Sequence, residues 1–496
     1  MTNSDDAPQV ETIPEAAPEK ASLFTRLGGY FRKMHEGEQV TPGTEPLVVD
    51  GAVHIAWENG PFALTLGDVT LELHPDVPIS GDSEGVVTKD WLVHGGSKFY
   101  ETVPRFIRIE PGASHIIGRT RGVQKNMFGF DKTVAARHVE LLNVKGNLII
   151  RPLERERETV VTSIDVTTEQ SALWAHRRHN LLRLPELLGR PLICYDDGDE
   201  ALEAIREVNT ILAKEAYRDR DDEGAPGGII TFPDDMTVIV MGDVHTRIDN
   251  VLRVLTEGGV LAAIERKDAS LVFLGDLVHS EEDGELEDME STIFILDVFM
   301  MLKRRFPKNV FYIRGNHESF SPEVGKGGVP QGILMQKKVK ARRGKAYMNE
   351  LEKMFESLAF VVQGKEFAGA HGAPVRSQVS RAALVNIQRY PGIQGELVWN
   401  RLRQGNRPAG YGKGSVKRFR QTLDLPKHAT MIVAHTPLST DKTVWFDVGG
   451  ITGHHVIYSA YKDKAAAIII EDGVAVAQEY VPENALSYLN GEMIES

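Results

Sequence analysis

The stretch FYIRGNHESF, residues 311–320, joins a run of large apolar residues to a polar turn. The apolar part is typical of a buried strand, and Gly315 allows the chain to turn sharply directly after it. Asn316, His317 and Glu318 then follow one another. Because ligands of α/β sheets bind beyond the carboxyl ends of the strands, these polar side chains indicate a site there.

Four other segments have the same design. MTVIVMGDVHTR ends with Asp243 and His245, and ASLVFLGDLVHSEED places Asp276 after its apolar run. KEFAGAHGAP and ATMIVAHTPL place His371 and His435 in the same way. The segments are far enough apart for strand–helix units between them, which is the pattern of an α/β domain.

Together the five strand ends supply two carboxylates, one amide oxygen and three imidazoles. This mixture suits Mn²⁺, Fe or Zn²⁺ better than Ca²⁺. Six protein ligands are too many for one catalytic ion that keeps open positions, whereas they suit two ions with one carboxylate between them. The sequence therefore predicts a site for two divalent cations, Mn²⁺ first and Fe or Zn²⁺ as alternatives, with the ligands Asp243, His245, Asp276, Asn316, His371 and His435.

The motifs GDVH, GDLV, RGNHE, AHG and AHTP resemble, in this order, those of the calcineurin-like metallophosphoesterases. FESLAFVVQGKEFAGAHG and LVWNR are similar to the phosphoprotein phosphatase branch, which acts on serine and threonine and includes bacterial members. The resemblance covers about 230–460. It implies an α/β metallophosphoesterase fold, in which helices flank a β-sandwich core.

The resemblance also implies a role for each ligand. Asp243 and His245 would bind the first metal, Asp276 would bridge, and the other three ligands would bind the second. His317 would be the general acid, while Arg314 and Lys413 fall near positions where the family places basic groups around the phosphate. A water bridging two cations becomes a nucleophile near neutral pH, and His317 would protonate the leaving oxygen. Glu318 would orient the loop from behind.

The second motif departs from the pattern of the family. The family continues GD-x-x-D-R-G. In GDLVHSEEDG, His279 stands where the family has the second aspartate, and Ser280 stands where it has the arginine. His279 is a structural turn residue, a proton relay or a phosphate-facing group, and the sequence leaves these alternatives open. It also does not choose among Glu281, Glu282 and Asp283 as the carboxylate that replaces the missing aspartate.

The first half of the chain has a different pattern from the second. Short alternating apolar runs separated by turn residues indicate a β-rich domain, and VKGN between two runs predicts a hairpin. A helical connector with one apolar face follows. We predict a tail at 1–20, an amphipathic segment at 21–45, the β-rich domain at 46–163, the connector at 164–230, the catalytic domain at 231–485 and a tail at 486–496.

SHIIGRT and AARHVELLNVKGNLIIRP resemble, weakly, a forkhead-associated domain, a β-sandwich that binds phosphothreonine. Gly118, Arg119 and His138 match its motifs, but Ala135 stands where the family has serine. The alternative is a β domain that only docks on the catalytic domain.

Composition limits the partners and the compartment. The net charge of −13 argues against general nucleic-acid binding, because phosphate contacts need a basic surface. The single cysteine, Cys194, excludes an intramolecular disulfide and fits a reducing compartment. We find neither a signal peptide nor an apolar run long enough to span a membrane, so we expect a cytoplasmic protein. Residues 21–35 have helical apolar spacing, which suits a membrane surface, a partner or packing on the protein itself.

The expected function is hydrolysis of phosphomonoesters by a phosphatase that depends on two metals. The expected substrate is a phosphorylated protein, or else a small phosphorylated molecule. A first alternative is a nucleotide or dinucleoside-polyphosphate hydrolase, which the basic run KKVKARRGK and the altered second motif favour. A second alternative is a scaffold whose catalytic domain has decayed.

Overall fold

The computed structural model describes most of the chain between residues 37 and 489. The described residues are 37–79, 88–119, 124, 127–165, 172–189, 195, 197–403 and 409–489. The predicted tail at 1–20, the amphipathic residues 21–35 and Cys194 lie outside them. Among the described residues, no helix is both long and apolar enough to cross a membrane.

The first domain is a sandwich of two β-sheets, called the front sandwich here. The five-stranded sheet has the order β1-β3-β10-β9-β8 and the six-stranded sheet the order β2-β11-β4-β5-β6-β7. A short helix, α1 (Ser97–Glu101), lies between β6 and β7. The strands are β1 (Glu38–Val40), β2 (Leu47–Val48), β3 (Val53–Ile55), β4 (Phe62–Leu66), β5 (Val69–Pro75), β6 (Trp91–His94), β7 (Phe106–Ile109), β8 (Ser114–Ile117), β9 (Val139–Val144), β10 (Asn147–Pro152) and β11 (Thr159–Ser163).

The front sandwich follows from period-two patterning. Alternate residues of β4 are buried between the sheets, where Trp91 and Phe62 belong to the apolar core. The predicted hairpin at VKGN is confirmed, because Val144 of β9 pairs with Asn147 of β10. Lys145 and Gly146, the two residues between them, have φ of 55° and 97°, as a tight hairpin requires.

Two helices lead from the front sandwich to an α/β domain. These are α2 (Ala172–Leu188) and α3 (Gly198–Ala213). The elements of the α/β domain are β12 (Arg218–Arg220), β13 (Pro226–Thr231), β14 (Thr237–Met241), α4 (Ile248–Thr256), α5 (Val260–Arg266), β15 (Ala269–Phe273), α6 (Glu290–Arg305), β16 (Val310–Tyr312), α7 (Gln331–Ser357), β17 (Val361–Gly364), β18 (Phe367–Ala370), α8 (Arg381–Val385), α9 (Pro391–Trp399), α10 (Lys413–Thr422), β19 (Thr430–Val433), β20 (Val444–Trp445), β21 (His454–Ile457), β22 (Ala465–Glu471) and β23 (Val474–Tyr480).

The strands of the α/β domain form two sheets that enclose one apolar core. The seven-stranded sheet has the order β12-β13-β17-β18-β19-β21-β20, and the five-stranded sheet has the order β16-β15-β14-β22-β23. Val240 and Val272 of the smaller sheet share this core with Val362 and Ile432 of the larger one. Helices cover the outer faces, so the predicted sandwich flanked by helices is the fold observed.

The structure moves three predicted boundaries. Strand β1 pairs with β3, so the front sandwich begins within the range predicted as an amphipathic segment. Strands β12 and β13 belong to the seven-stranded sheet, although they lie in the predicted connector. Leu489 is buried, so the predicted tail at 486–496 begins with residues that pack on the domain. In each case a short element gains its stability from tertiary packing that local patterning does not reveal.

A buried network of charges joins the two domains. Asp76 of the front sandwich contacts Arg108 of β7 at 2.5 Å and Arg177 of α2 at 2.6 Å. Arg177 also contacts Glu257 at 3.0 Å, just beyond α4. Nearby, the backbone N–H of Phe106 donates to the side chain of Gln478 at 2.7 Å. Because buried charges are stable only when paired, this network fixes how the front sandwich sits on the α/β domain.

Candidate dinuclear metal centre

The predicted ligands lie where the strands of both sheets end. Strands β14, β15 and β16 are adjacent and parallel, so Asp243, Asp276 and Asn316, which follow them, emerge at one edge. Strands β18 and β19 are adjacent and parallel in the other sheet, and His371 and His435 follow them. The two sheets therefore deliver the ligands from opposite sides of one cleft.

Asp276 lies between the two halves of the centre. Its Oδ2 is 3.9 Å from Nε2 of His245 and 3.2 Å from Nε2 of His371. Oδ2 of Asp243 is 3.7 Å from the same nitrogen of His245. Two groups of three candidate ligand atoms, all within 4.8 Å of one another, therefore share Asp276: Asp243 with His245 and Asp276, and Asp276 with His371 and His435.

Donor atoms of neighbouring residues surround Nε2 of His371 in a way that suits a bound cation. Its Nδ1 is 2.8 Å from the carbonyl oxygen of Leu274, which fixes a proton on that nitrogen and leaves Nε2 to act as a ligand. Oδ1 of Asn316 lies 2.9 Å from this Nε2, and Nδ1 of His435 lies 3.2 Å from it. Several lone pairs thus converge on one small region, which is the arrangement that divalent metals require.

The turns that carry the ligands have uncommon backbone conformations. His245, Asp276 and His435 have φ of 45°, 47° and 67°, which is rare for residues other than glycine. A Cβ on Gly275 would lie 2.6 Å from Cα of Gly315, so the two strand ends touch through their glycines. Such strain concentrated at one place is typical of functional sites.

Glu318 holds two of these turns together. Its buried carboxylate accepts hydrogen bonds from the backbone N–H groups of Gly315 at 2.7 Å and Asp276 at 3.0 Å. It also accepts from the N–H of Leu277 at 3.1 Å and from the hydroxyl of Tyr312 at 2.5 Å. The loop therefore has the support from behind that the sequence predicted.

The pKa values of the candidate ligands show that negative charge is concentrated at the centre. Burial lowers the pKa of His245, but Glu281 and Asp243 outweigh burial and raise it to about 10. Burial likewise lowers the pKa of His371, which Asp276 raises to about 9. Burial raises the pKa of Asp243, yet His245 and His371 bring it below the usual value. The centre attracts positive charge strongly.

His317 contacts His279 at the rim of the centre. The Nδ1 atoms of the two rings are 3.1 Å apart, so one donates to the other. Nε2 of His317 lies 4.0 Å from Oδ2 of Asp276, on the side of the metal ligands. Burial lowers the pKa of His279 to about 3, and it also lowers that of His317. Of the three alternatives for His279, the contact with His317 suits a proton relay and the φ of 64° suits a turn residue, so both stay open.

Of the three acidic residues after His279, Glu281 faces the centre. Its Oε2 lies 3.7 Å from Nε2 of His245 and accepts a hydrogen bond of 3.0 Å from the hydroxyl of Tyr458. Glu282 pairs with Arg247 instead. Tyr458, the first residue of the run YSAY at 458–461, is a site residue that the sequence analysis did not select.

Arg314 and Lys413 occupy different environments. Arg314 lines a cavity of about 190 Å³ together with Asn316 and Trp399, so it borders the metal ligands. Lys413 is the exposed first residue of α10. Arg401, which ends the LVWNR motif, helps burial and His371 to lower the pKa of His435. Arg401 is thus a second basic residue at the centre, and the sequence analysis did not select it.

The residues behind the forkhead-associated resemblance make backbone contacts. Nε of Arg119 donates to the carbonyl oxygen of Val134 at 3.0 Å. Nδ1 of His138 accepts from the N–H of Ala135 at 3.1 Å. Both side chains thus hold loops of the front sandwich, and the resemblance stays a prediction.

Comparison with known proteins identifies the α/β domain. Residues 236–460 match the family model for calcineurin-like phosphoesterases. This region, called the phosphoesterase domain here, therefore matches the family that the motifs implied. The matched region does not include the front sandwich.

Individual relatives are phosphatases. The chain is 26% identical over 275 residues to the serine/threonine-protein phosphatase PP2A-like PPG1 of Candida albicans, covering 52% of this chain and 61% of that protein. A serine/threonine phosphatase structure from Saccharomyces cerevisiae, with similarity to human phosphatase PP5, has 18% identity and a TM-score of 0.44; the match covers 63% of this chain and 96% of that one. A cold-active protein-tyrosine phosphatase of a Shewanella species has 11% identity and a TM-score of 0.31, over 51% of this chain and 83% of that one.

Proposed function

We propose that the chain is a phosphatase that uses two divalent cations to hydrolyse phosphomonoesters, most of all on phosphoproteins. The observation that carries this proposal is the position of Asp276, whose Oδ2 faces both His245 and His371 while His317 lies alongside. A shared carboxylate between two groups of ligands suits a pair of ions, and a buried imidazole beside it suits proton transfer.

The residues fit a pair of cations, because carboxylate, amide and imidazole donors converge around Nε2 of His371. The first ion would be held by Asp243, His245 and Asp276, and the second by Asp276, Asn316, His371 and His435. When bound, two such ions polarise the phosphoryl group and make a water nucleophilic near neutral pH. Mn²⁺ is the first metal to test, with Fe and Zn²⁺ next.

The proton needed by the leaving oxygen would come from Nε2 of His317. Since Nδ1 of this ring faces Nδ1 of His279, the opposite edge is the one that faces the substrate. His279 would hold the ring in this orientation by donating from its Nδ1 to Nδ1 of His317, which keeps the proton of His317 on Nε2. Arg314, which borders Asn316, and Arg401, which acts electrostatically on His435, would offset charge on the phosphate oxygens.

The phosphoprotein substrate is supported by two observations. The relative from Candida albicans is named as a serine/threonine-protein phosphatase. Trp399, 46% exposed, stands 5.8 Å edge-on from the ring of His435 and offers an apolar contact to a peptide beside the phosphate.

The contacts of the basic run weaken the nucleotide alternative. Lys338 and Arg342 both contact Glu290, and Arg343 is buried against Asp297 at 2.8 Å. Half of the positive charges of KKVKARRGK are thus already paired within the protein. The decayed-scaffold alternative is weakened by the convergence of all six ligands.

The experiment compares three substrates with the full-length protein: a phosphoserine peptide, p-nitrophenyl phosphate and a dinucleoside polyphosphate, each with and without Mn²⁺. We expect Mn²⁺-dependent release of phosphate from the first two and a higher kcat/KM on the peptide. Lys267→Ala, which changes a lysine just beyond α5, serves as a control for surface substitution. Turnover of the dinucleoside polyphosphate alone would replace the proposal by the first alternative, and metal-loaded protein inert on all three would favour the scaffold.

A further inference from the structure

A second group of histidines and a carboxylate lies outside the phosphoesterase domain, on the six-stranded sheet of the front sandwich. Strands β5 and β6 are antiparallel, and Glu72 pairs directly with His94 across them. His74 lies two residues beyond Glu72 on β5, so its side chain points to the same face. The register of two strands thus gathers one carboxylate and two imidazoles.

The spacing of these side chains resembles that of the phosphoesterase centre. Oε2 of Glu72 is 2.8 Å from Nε2 of His74 and 3.9 Å from Nε2 of His94. At the phosphoesterase centre the corresponding carboxylate–imidazole distances run from 3.2 Å to 3.9 Å. All three candidate ligand atoms lie within 4.8 Å of one another in the front sandwich, as they do in each group at the centre.

The two imidazoles are buried and short of partners. The side chains of His74 and His94 are 0% exposed. Neither ring nitrogen of His94 makes a hydrogen bond with any residue that the structure describes, and the same holds for Nδ1 of His74. Since buried polar atoms are nearly always paired, three such nitrogens in one group indicate a missing partner.

Neighbouring residues fix the orientation of the imidazole of His94 and leave Glu72 accessible to an ion from solvent. The ring of Phe99 stacks on His94 with centroids 4.1 Å apart, which fixes the imidazole plane. The side chain of Glu72 is 25% exposed, so an ion can reach the carboxylate from solvent. Gly96, with φ of 61°, lets the next loop pass close to that carboxylate.

We propose that Glu72, His74 and His94 bind one divalent cation, with Zn²⁺ the best match. Two imidazoles and a carboxylate are a Zn²⁺ donor set that leaves a fourth position for water, whereas Ca²⁺ and Mg²⁺ prefer oxygen ligands. The ion would tie β5 to β6 on the face where α1 packs on α2, because Tyr100 of α1 contacts His176 of α2 at 4.9 Å between ring centroids. Its effect would be to stabilise the junction of the domains.

The test counts zinc in the full-length protein and in Glu72→Gln after chelation, reloading with Zn²⁺ and desalting. We expect Glu72→Gln to hold one equivalent less than the unaltered chain, however many ions the phosphoesterase centre retains. Glu110→Gln, a change of the same kind at an exposed position of the front sandwich, should keep the full count.

A second measurement is independent of the phosphoesterase centre. In an Asp276→Asn background, which lacks the carboxylate that both groups of the phosphoesterase centre share, Zn²⁺ should raise Tm, and adding Glu72→Gln should reduce that rise, because an ion bound only to the folded state stabilises it. If His94→Asn folds, it should lose the same zinc equivalent and the same Zn²⁺ response as Glu72→Gln. If His94→Asn does not fold, the nearly isosteric Glu72→Gln alone decides the test. Equal zinc content together with an unchanged Zn²⁺ response in Glu72→Gln would overturn the proposal and leave a hydrogen-bonded His–Glu pair.

Discussion

The front sandwich and the phosphoesterase domain are both built from two β-sheets, yet they bring polar residues together in different ways. In the phosphoesterase domain, parallel strands end at a common edge, and ligands such as Asp243 and Asp276 follow the strands. In the front sandwich, β5 and β6 are antiparallel, and Glu72 meets His94 across the face of a sheet. Strand ends collect residues from distant parts of the chain, whereas a sheet face collects them through register.

Backbone conformation explains why one site is built on loops and the other on strands. Loops at strand ends can adopt strained conformations, such as φ of 47° at Asp276, which aim side chains at a common point. A sheet face offers only side chains perpendicular to the strands, so its donors must be neighbours. We therefore expect the first site to do chemistry and the second to add stability.

The largest effect should come from Asp276→Asn. Removing the carboxylate that faces both groups of ligands should lower kcat/KM on a phosphopeptide more than about 10⁴-fold, or about 5 kcal/mol of transition-state stabilisation. Steady-state kinetics with Mn²⁺, together with a metal count, measure the loss. A variant that keeps a tenth of the activity would show that the strand ends do not form one centre.

His317→Asn should have the next largest effect. We expect kcat to fall about 10³-fold on a phosphoserine peptide, within the range for a lost general acid. The loss should be much smaller on p-nitrophenyl phosphate, because its leaving group needs little protonation. An equal loss on the two substrates would assign His317 to binding or folding and not to proton transfer.

Asp76→Asn tests whether the front sandwich and the phosphoesterase domain unfold as one cooperative unit. The change leaves Arg177 without a front-domain carboxylate, and we expect the free energy of unfolding to fall by about 3 kcal/mol. Denaturant titration of the full chain measures it. An unchanged unfolding midpoint would mean that the front sandwich unfolds independently.

The same residue predicts the acid sensitivity of the junction. Burial raises the pKa of Asp76, but Arg108 and Arg177 outweigh burial and keep it well below its ordinary value of 3.8. The stabilisation is therefore complete above about pH 4 and is lost as the pH falls below 3.8 toward the lower folded value. In Asp76→Asn that part of the acid dependence should be missing.

Arg401→Ala and Lys413→Ala sharpen the description of the phosphate pocket. Arg401 would offset charge on the bound phosphate, so its loss should raise KM about tenfold, which is about 1.4 kcal/mol. Lys413 is exposed on α10, and its loss should change kcat/KM less than about twofold. A larger effect for Lys413 would restore the role that the sequence implied.

The six candidate ligands can be selected from the sequence because each one comes just after an apolar strand, and the topology of α/β sheets brings strand ends together. The sequence cannot choose among the roles of His279, because the contact with His317 joins turns 38 residues apart. It also misses the group at Glu72, since only the pairing of β5 with β6 brings ELH and WLVH together. Very short strands such as β1 are not predicted either, because pairing with neighbouring strands stabilises them and their own sequence pattern does not.

Glu318 has a consequence for how the centre acquires its metals. One carboxylate accepts three hydrogen bonds from the turns that carry Asp276 and Asn316 and a fourth from Tyr312 at the end of β16, so these turns keep their shape through protein contacts alone. Cation uptake then needs little ordering of the chain, and exchange of one metal for another should proceed at the speed of ligand substitution, without a slow refolding step.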